Sequence, residues 1–225
     1  MKLKWYGQAA FAVKSSDGTT IITDPYTPET AGYVPILEPA DVVITSSDND
    51  SFHCRADLIQ GNPAVINALE LAQNGGQRTE KGINFRAIEA MEALNHIYHD
   101  PDQNAMYRFE VDGISIGHMG DVGNPLTDSQ IDFFRGVDIF LALAGAHPTI
   151  ELDDLKVVLD AVKPPLIVPM HFRTLRLKPR NQFWIQTFLD YFPKEQVDFA
   201  CDSEVTLNKA DLPDSTRVLV LSYVS

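Results

Sequence analysis

Apolar and polar positions alternate along this chain with two different periods, and the switch between them sets out the expected elements. "LKWYG" and "AAFAVKSSDGTTIITD" read as two strands, a turn at Ser16–Asp17–Gly18 and a third strand. "DVVITS" is continuously apolar, as in a strand covered on both faces. "AVINALELAQNGG" spaces Ile66, Leu69 and Leu71 as a helix does, and Gly75–Gly76 ends it. "INFRAIEAME" alternates Ile83, Phe85 and Ala87 with polar neighbours. The clearest hairpin is "AMYRFEVDGISIGHMGD", in which Tyr107, Phe109 and Val111 alternate, Asp112–Gly113 turns, and Ile114 and Ile116 return.

After residue 121 the elements change partners. "TDSQIDFFRG" reads as a Thr-capped helix, "VDIFLALAG" as a strand and "IELDDLKVVLDAVKP" as a helix. "PLIVPMH" follows as a buried strand, "RNQFWIQTFLDYF" as a helix and "TRVLVLSYV" as a closing strand. Strand-rich halves, each followed by helices, predict an α/β chain with two facing sheets and helices outside them. No repeat and no low-complexity linker interrupts residues 1–225, so one domain is expected. The longest loop, "DPYTPETAGYVPILEPAD", is placed to wall a cleft.

Composition narrows the function more than the fold. At 225 residues and 44% hydrophobic, the chain can bury a sizeable core. Its net charge of −13 argues against nucleic acid or an anionic membrane as partner, because both need a basic footprint. The cluster "RTLRLKPR" reads as a solvated connection. Two cysteines, Cys54 and Cys201, form no disulfide framework and no Cys-x-x-Cys metal site, which fits a reducing cytoplasm. No apolar stretch reaches the roughly 18–20 residues of a membrane span, and the opening lacks a secretory apolar run. A small molecule is therefore the expected partner.

The chemistry-bearing residues gather at strand ends. His99 follows "NFRAIEAMEALNHIY", His118 lies in "SIGHMGD", and His171 closes "IVPMH", with Asp121 completing the hairpin. Strand ends can aim side chains from distant positions at one point on a rim. Imidazole and carboxylate there suit zinc, iron or manganese. His96 and His147 have no such context and read as structural. No Gly-rich phosphate loop is present, and no GxSxG elbow supports a serine nucleophile at Ser47 or Ser51.

In this order "MKLKWYGQAAFAV", "TDPY", "ADVVITS", "GNPAVI", "YRFEVDGISIGHMGDVG", "VDIFLALAG" and "VPMHFRT" resemble the metallo-β-lactamase superfamily, in its branch of small metal-dependent hydrolases. The resemblance implies a four-layer αββα sandwich with a metal site on the rim between the sheets. It implies that Asp121 bridges metal ions, that His99 holds the first and that His171 holds the second. After the strand matched by "ADVVITS", the family places His-x-His-x-Asp-His, and this chain departs from it. Threaded without a gap, those positions become Ser47, Asn49, Ser51 and Phe52, which are poor ligands or none. Shifted by one residue they become Asp48, Asp50, Phe52 and His53.

In that second register Asp48, Asp50, His99 and Asp121 would surround one metal, an oxygen-rich set suited to manganese or iron. His53, Asp121 and His171 would remain for the other. Asp50 is then the aspartate expected to orient water and carry its proton, with His118 and Asp100 fixing ring orientations. Arg173 and Thr174 would meet a substrate anion. Gln8 and Asn124 stand where the family has histidine. The expected site is thus a degenerate one, holding one divalent ion (zinc, manganese or iron) or none. Two functions follow from it: a metal-dependent hydrolase of an ester, lactone, amide or phosphodiester, or a non-catalytic relative that keeps the sandwich as a binding or structural module.

Overall fold

The computed structural model describes residues 1–95 and 100–225, and two β-sheets organise them. The first contains β1 (Lys2–Gly7), β2 (Ala10–Lys14), β3 (Thr20–Thr23), β4 (Ala40–Thr45) and β5 (Gly61–Asn67), with β13 (Glu204–Thr206) added at the β1 edge. The second contains β6 (Gln77–Glu80), β7 (Ile83–Met91), β8 (Gln103–Val111), β9 (Ile114–His118), β10 (Ile139–Leu143), β11 (Leu166–Met170), β12 (Val197–Phe199) and β14 (Arg217–Val220). Its order is β12-β14-β11-β10-β9-β8-β7-β6. Helices α1 (Pro28–Ala31), α2 (Ala68–Gln73), α3 (Asp128–Phe133), α4 (Leu152–Val162) and α5 (Ile185–Leu189) complete an α/β sandwich.

Period-2 alternation explains why the first sheet is apolar on both faces. Leu3, Trp5, Phe11, Val13, Ile21, Val42 and Ile44 join the large core that also takes in Tyr107, Ile116, Leu141 and Val168 of the second sheet. The residues between them, Tyr6, Ala10, Ala12, Ile22 and Val43, pack with Tyr26, Tyr33, Ile36 and Leu177 in a separate cluster. The unbroken apolar character of "DVVITS" therefore reflects burial from two sides. Strands β9, β10 and β11 pair in parallel and are buried at every position, as expected of parallel strands covered on both faces.

Helix α4 buries Leu152, Leu155, Val158, Leu159 and Val162, one face of a helical period. Helix α3 starts with the reciprocal Thr127–Gln130 capping box. Two expectations change. The "AVIN" portion of the expected helix is strand, because Ala64–Asn67 pairs in parallel with Val42–Thr45, and the helix begins only where the Asn67 side chain caps the amides of Leu69 and Glu70. In "RNQFWIQTFLDYF" only Ile185–Leu189 is helical, since Phe183 O accepts from Arg173 N and Phe183 N donates to Gly145 O, which commits the backbone before the helix to other partners. No helix among the described residues is long and apolar enough to cross a membrane.

Candidate metal centre

The rim between the sheets is built from segments that leave strand ends. Gln8 follows β1, the loop 46–55 follows β4, Asp121 follows β9 and His171 follows β11. The His171 amide donates to Gln8 O at 3.1 Å, which ties the two sheets at that edge. Gln8 (φ 49°) and His171 (φ 56°) both adopt the left-handed backbone region, which is uncommon for residues with a Cβ and is found at functional sites.

His53, Asp121 and His171 each place a potential ligand atom within 4.8 Å of the others, and all three are buried. The rings of His53 and His171 stack with centroids 5.5 Å apart. These residues, with Gln8, Phe52, Glu92, Pro148, Pro179, Asn181 and Gln182, line a cavity of about 160 Å³.

The hydrogen bonds around the cavity are incomplete in a consistent way. His53 Nδ1 is 3.1 Å from Asp50 Oδ2 and 3.4 Å from Asp121 Oδ2, while its Nε2 has no partner. His171 Nε2 is 2.9 Å from Gln8 Nε2 and 3.2 Å from Asp121 Oδ1. An unprotonated imidazole nitrogen has one lone pair, so at His171 Nε2 either the Gln8 amide donates to it or a cation takes it beside the Asp121 oxygen, displacing that amide hydrogen bond. Gln8 Oε1, Glu92 Oε2 and Gln182 Oε1 are buried without partners as well. Unpaired buried polar atoms are costly. Their convergence on one cavity suits two imidazole nitrogens and a carboxylate to a divalent cation.

Charge follows the same geometry. Burial opposes an imidazolium at His53, but Asp121, Asp50 and Asp24 outweigh it and raise its pKa well above the ordinary histidine value. Burial lowers His171, with Asp121 pulling the other way. Burial also raises Glu92, aided by the negative charge of Asp121, to about 8.

Asp50 lies under this centre and is fully engaged. Its Oδ1 accepts from the amides of Phe52 and His53, and its Oδ2 accepts from Ser47 Oγ and faces His53 Nδ1. Burial would raise its carboxyl, but the His53 charge and these donors hold it well below the usual carboxylate range.

Other expected site residues fall elsewhere. Asp48 is exposed and accepts from Asn67 Nδ2 at 3.1 Å, so the structure does not bring it to the cluster. Asn49 binds the Asp102 carboxylate. His99 and His96 lie outside the described residues. Asp100 is exposed. Thr174 is buried but bonded to Tyr33 Oη, and Arg173 packs over the Trp184 ring, 4.9 Å from its centroid; neither lines the cavity.

His118 belongs to a neighbouring, closed cluster. Its Nε2 donates to Ala9 O at 2.9 Å, its Nδ1 accepts from Gly120 N at 2.9 Å, and burial lowers its pKa to about 3. Glu92 and Gln182 are cavity residues that the sequence did not single out. The signal for Glu92 is an acidic residue closing a strand whose buried positions, Phe85, Ala87 and Ala90, are all apolar.

The comparisons with known proteins agree with this geometry. A family model described as a β-lactamase superfamily domain matches residues 2–171. The chain is a member of that superfamily. A UPF0173 metal-dependent hydrolase of Methanoculleus marisnigri is 27% identical over 190 residues, covering 77% of this chain and 82% of its own. A second, from Thermoplasma acidophilum, is 27% identical over 202 residues, covering 79% and 85%. The crystal structure of a candidate Zn-dependent hydrolase of the metallo-β-lactamase superfamily from Thermotoga maritima superposes with a TM-score of 0.77 at 29% identity, covering 99% of each chain. This metallo-β-lactamase superfamily protein therefore has relatives named for metal-dependent hydrolysis and a His/Asp cluster able to hold a metal, and its αββα sandwich is the fold of those neighbours.

Proposed function

We propose that the protein is a hydrolase that works with one divalent ion held by His53, Asp121 and His171. The observation that supports this reading is the meeting of those three buried side chains at one cavity whose lining residues carry buried polar atoms without hydrogen-bond partners. An ion held there supplies Lewis acidity, making water a nucleophile near neutrality and stabilising negative charge that develops on a carbonyl or phosphoryl oxygen.

The protein's own residues supply positioning. Asp50 fixes the His53 ring through Nδ1 and leaves Nε2 for the ion, the carboxylate–histidine arrangement common around metals. With every Asp50 oxygen occupied, its task is orientation and not the proton transfer expected from the sequence. Without the ion, the Gln8 amide holds the His171 ring through Nε2, the lone pair that an ion beside Asp121 would take over. Phe52, Pro148 and Pro179 give the cavity an apolar wall that excludes bulk water. The size of the cavity favours a small ester, lactone, amide or phosphodiester group at the reacting centre.

The test uses metal-stripped full-length protein, reloaded with manganese, ferrous iron or zinc and assayed on a panel of those four substrate classes. The expected result is turnover that depends on the ion and disappears in His171→Ala. A protein that takes up no stoichiometric ion would instead support the non-catalytic module, whose motivation is the missing His-x-His-x-Asp-His run.

A further inference from the structure

Gln8 and His171 meet where the two sheets come together, and their contact involves a ring nitrogen that the ion would use. Gln8 follows β1 of the first sheet, and His171 follows β11 of the second. Their backbones are tied: Gln8 O accepts from the His171 amide at 3.1 Å and from Trp5 Nε1 at 3.0 Å. The turn before Gln8 has little slack, since a Cβ at Gly7 (φ 126°) would lie 2.6 Å from atoms of the Tyr33 ring. The Gln8 side chain is therefore delivered to the His171 ring by backbone held from both sides.

The side-chain contact falls on the atom that matters for the ion. Gln8 Nε2 lies 2.9 Å from His171 Nε2, and Asp121 Oδ1 lies 3.2 Å from the same nitrogen. All three residues are buried. With the amide turned so that its nitrogen donates, it uses the single lone pair of an unprotonated ring nitrogen. With the amide reversed, its oxygen accepts from a protonated Nε2, and the proton holds that lone pair instead. Both orientations close His171 Nε2 to a cation. Opening it has a cost on the Gln8 side as well, because the released amide loses a bond in surroundings where Gln8 Oε1 already has no partner.

We propose that Gln8 is a built-in competitor of the ion, whose amide must leave His171 Nε2 before His53, Asp121 and His171 can close around a divalent cation. This rests on the metal-dependent reading above and adds to it the residue that sets how tightly the ion is held. The competition stabilises the metal-free state, so it weakens every ion that uses His171 Nε2 by a similar factor. A Gln8 that served as a ligand, or that only oriented the ring for the ion, has the opposite sign, and its removal would loosen the ion.

Isothermal titration of zinc and of manganese into metal-stripped full-length protein, compared with Gln8→Ala and the bulkier Gln8→Leu, tests this. Both substitutions leave the backbone bonds of residue 8 available, and thermal unfolding reports that the fold is kept. A buried hydrogen bond of ordinary net strength corresponds to roughly fivefold in a binding constant, so both variants should bind each ion about fivefold more tightly than wild type. Uptake of an ion by the variants where wild type takes up none would be the same result in a stronger form. Proton–nitrogen correlation spectra of the metal-free proteins read the contact itself, and the His171 Nε2 resonance should shift in both variants. An unmoved resonance, or ion binding that is unchanged or weaker in both folded variants, would overturn the competition and leave the three-residue site in place. No ion binding in any of the three proteins would overturn the metal-dependent reading together with this one.

Discussion

Asp24 and Asp121 are both buried carboxylates on the rim between the two sheets, and their surroundings differ in kind. Around Asp24 the bonds close: Oδ1 accepts from Ser46 N at 2.7 Å and Tyr107 Oη at 3.1 Å, and Oδ2 accepts from Ser46 Oγ at 2.7 Å. Tyr107 stacks on His118 at 4.5 Å, and both His118 nitrogens are used. Around Asp121 the bonds stay open, with unpartnered atoms on His53, His171, Gln8, Glu92 and Gln182. A buried polar cluster with every group satisfied stabilises and specifies a fold, whereas one left incomplete marks a place where a ligand is needed. The difference separates the structural from the chemical part of one rim, and it can be attacked from either side.

The largest expected effect comes from the closed cluster. Burial is the leading cause that raises Asp24 to about 7, against an ordinary aspartate value of 3.8. The folded state therefore keeps a proton on Asp24 at pH values where the unfolded chain has lost it. The associated stability is complete below pH 3.8 and is lost as pH rises to about 7. Asp24→Asn has the same shape and can serve the same partners, with Ser46 Oγ turned to accept. Across pH 4 to 8 in metal-free protein, wild type should lose up to about 4 kcal/mol relative to Asp24→Asn. Denaturant titrations at several pH values measure it. A gap that widened in favour of wild type as pH rose would show that the three donors outweigh burial.

The open cluster should respond to metal. If the ion binds only the folded state, adding it at 100 times its dissociation constant stabilises by about 2.7 kcal/mol. Asp121→Asn, which removes one charge from the centre of the site, should abolish most of that gain and leave the metal-free unfolding temperature within a few degrees. Chelator should return wild type to its metal-free transition. Stabilisation of equal size in Asp121→Asn would place the ion somewhere other than this cavity.

Much of this architecture was legible in the chain because it rests on local periodicity. The β8–β9 hairpin, with Asp112–Gly113 at its turn, carries Asp121 to the rim, and the apolar run of β11 delivers His171 there. The loop after β4 was harder, because small polar residues carry no period that fixes a register. Asp48 and His53 follow the same strand, yet the backbone turn held by Asp50 sends His53 inward, while Asp48 stays at the surface. Ile66, Leu69 and Leu71 fit a helix, but pairing with β4 overrides the spacing up to Asn67. Glu92 escaped notice because its place in the cavity depends on what lies across it, and neighbours in sequence say nothing of that.

The smallest effect is the sharpest on whether the two clusters are separate. Tyr107→Phe keeps the ring stacked on His118 and removes only the hydroxyl that donates to Asp24 Oδ1. At pH 8, with Asp24 ionised, loss of one bond to a buried charge should cost about 1–2 kcal/mol. At pH 5, with Asp24 protonated, the cost should be roughly half that. Metal affinity should stay within twofold of wild type, since neither Tyr107 nor Asp24 lines the cavity. The chain links the clusters directly at three places: Ser46 precedes the Ser47 that bonds Asp50, Ala9 follows Gln8, and His118 lies three residues before Asp121. A tenfold loss of metal affinity in Tyr107→Phe would mean that strain passes along these links, and that the closed cluster is part of the metal centre.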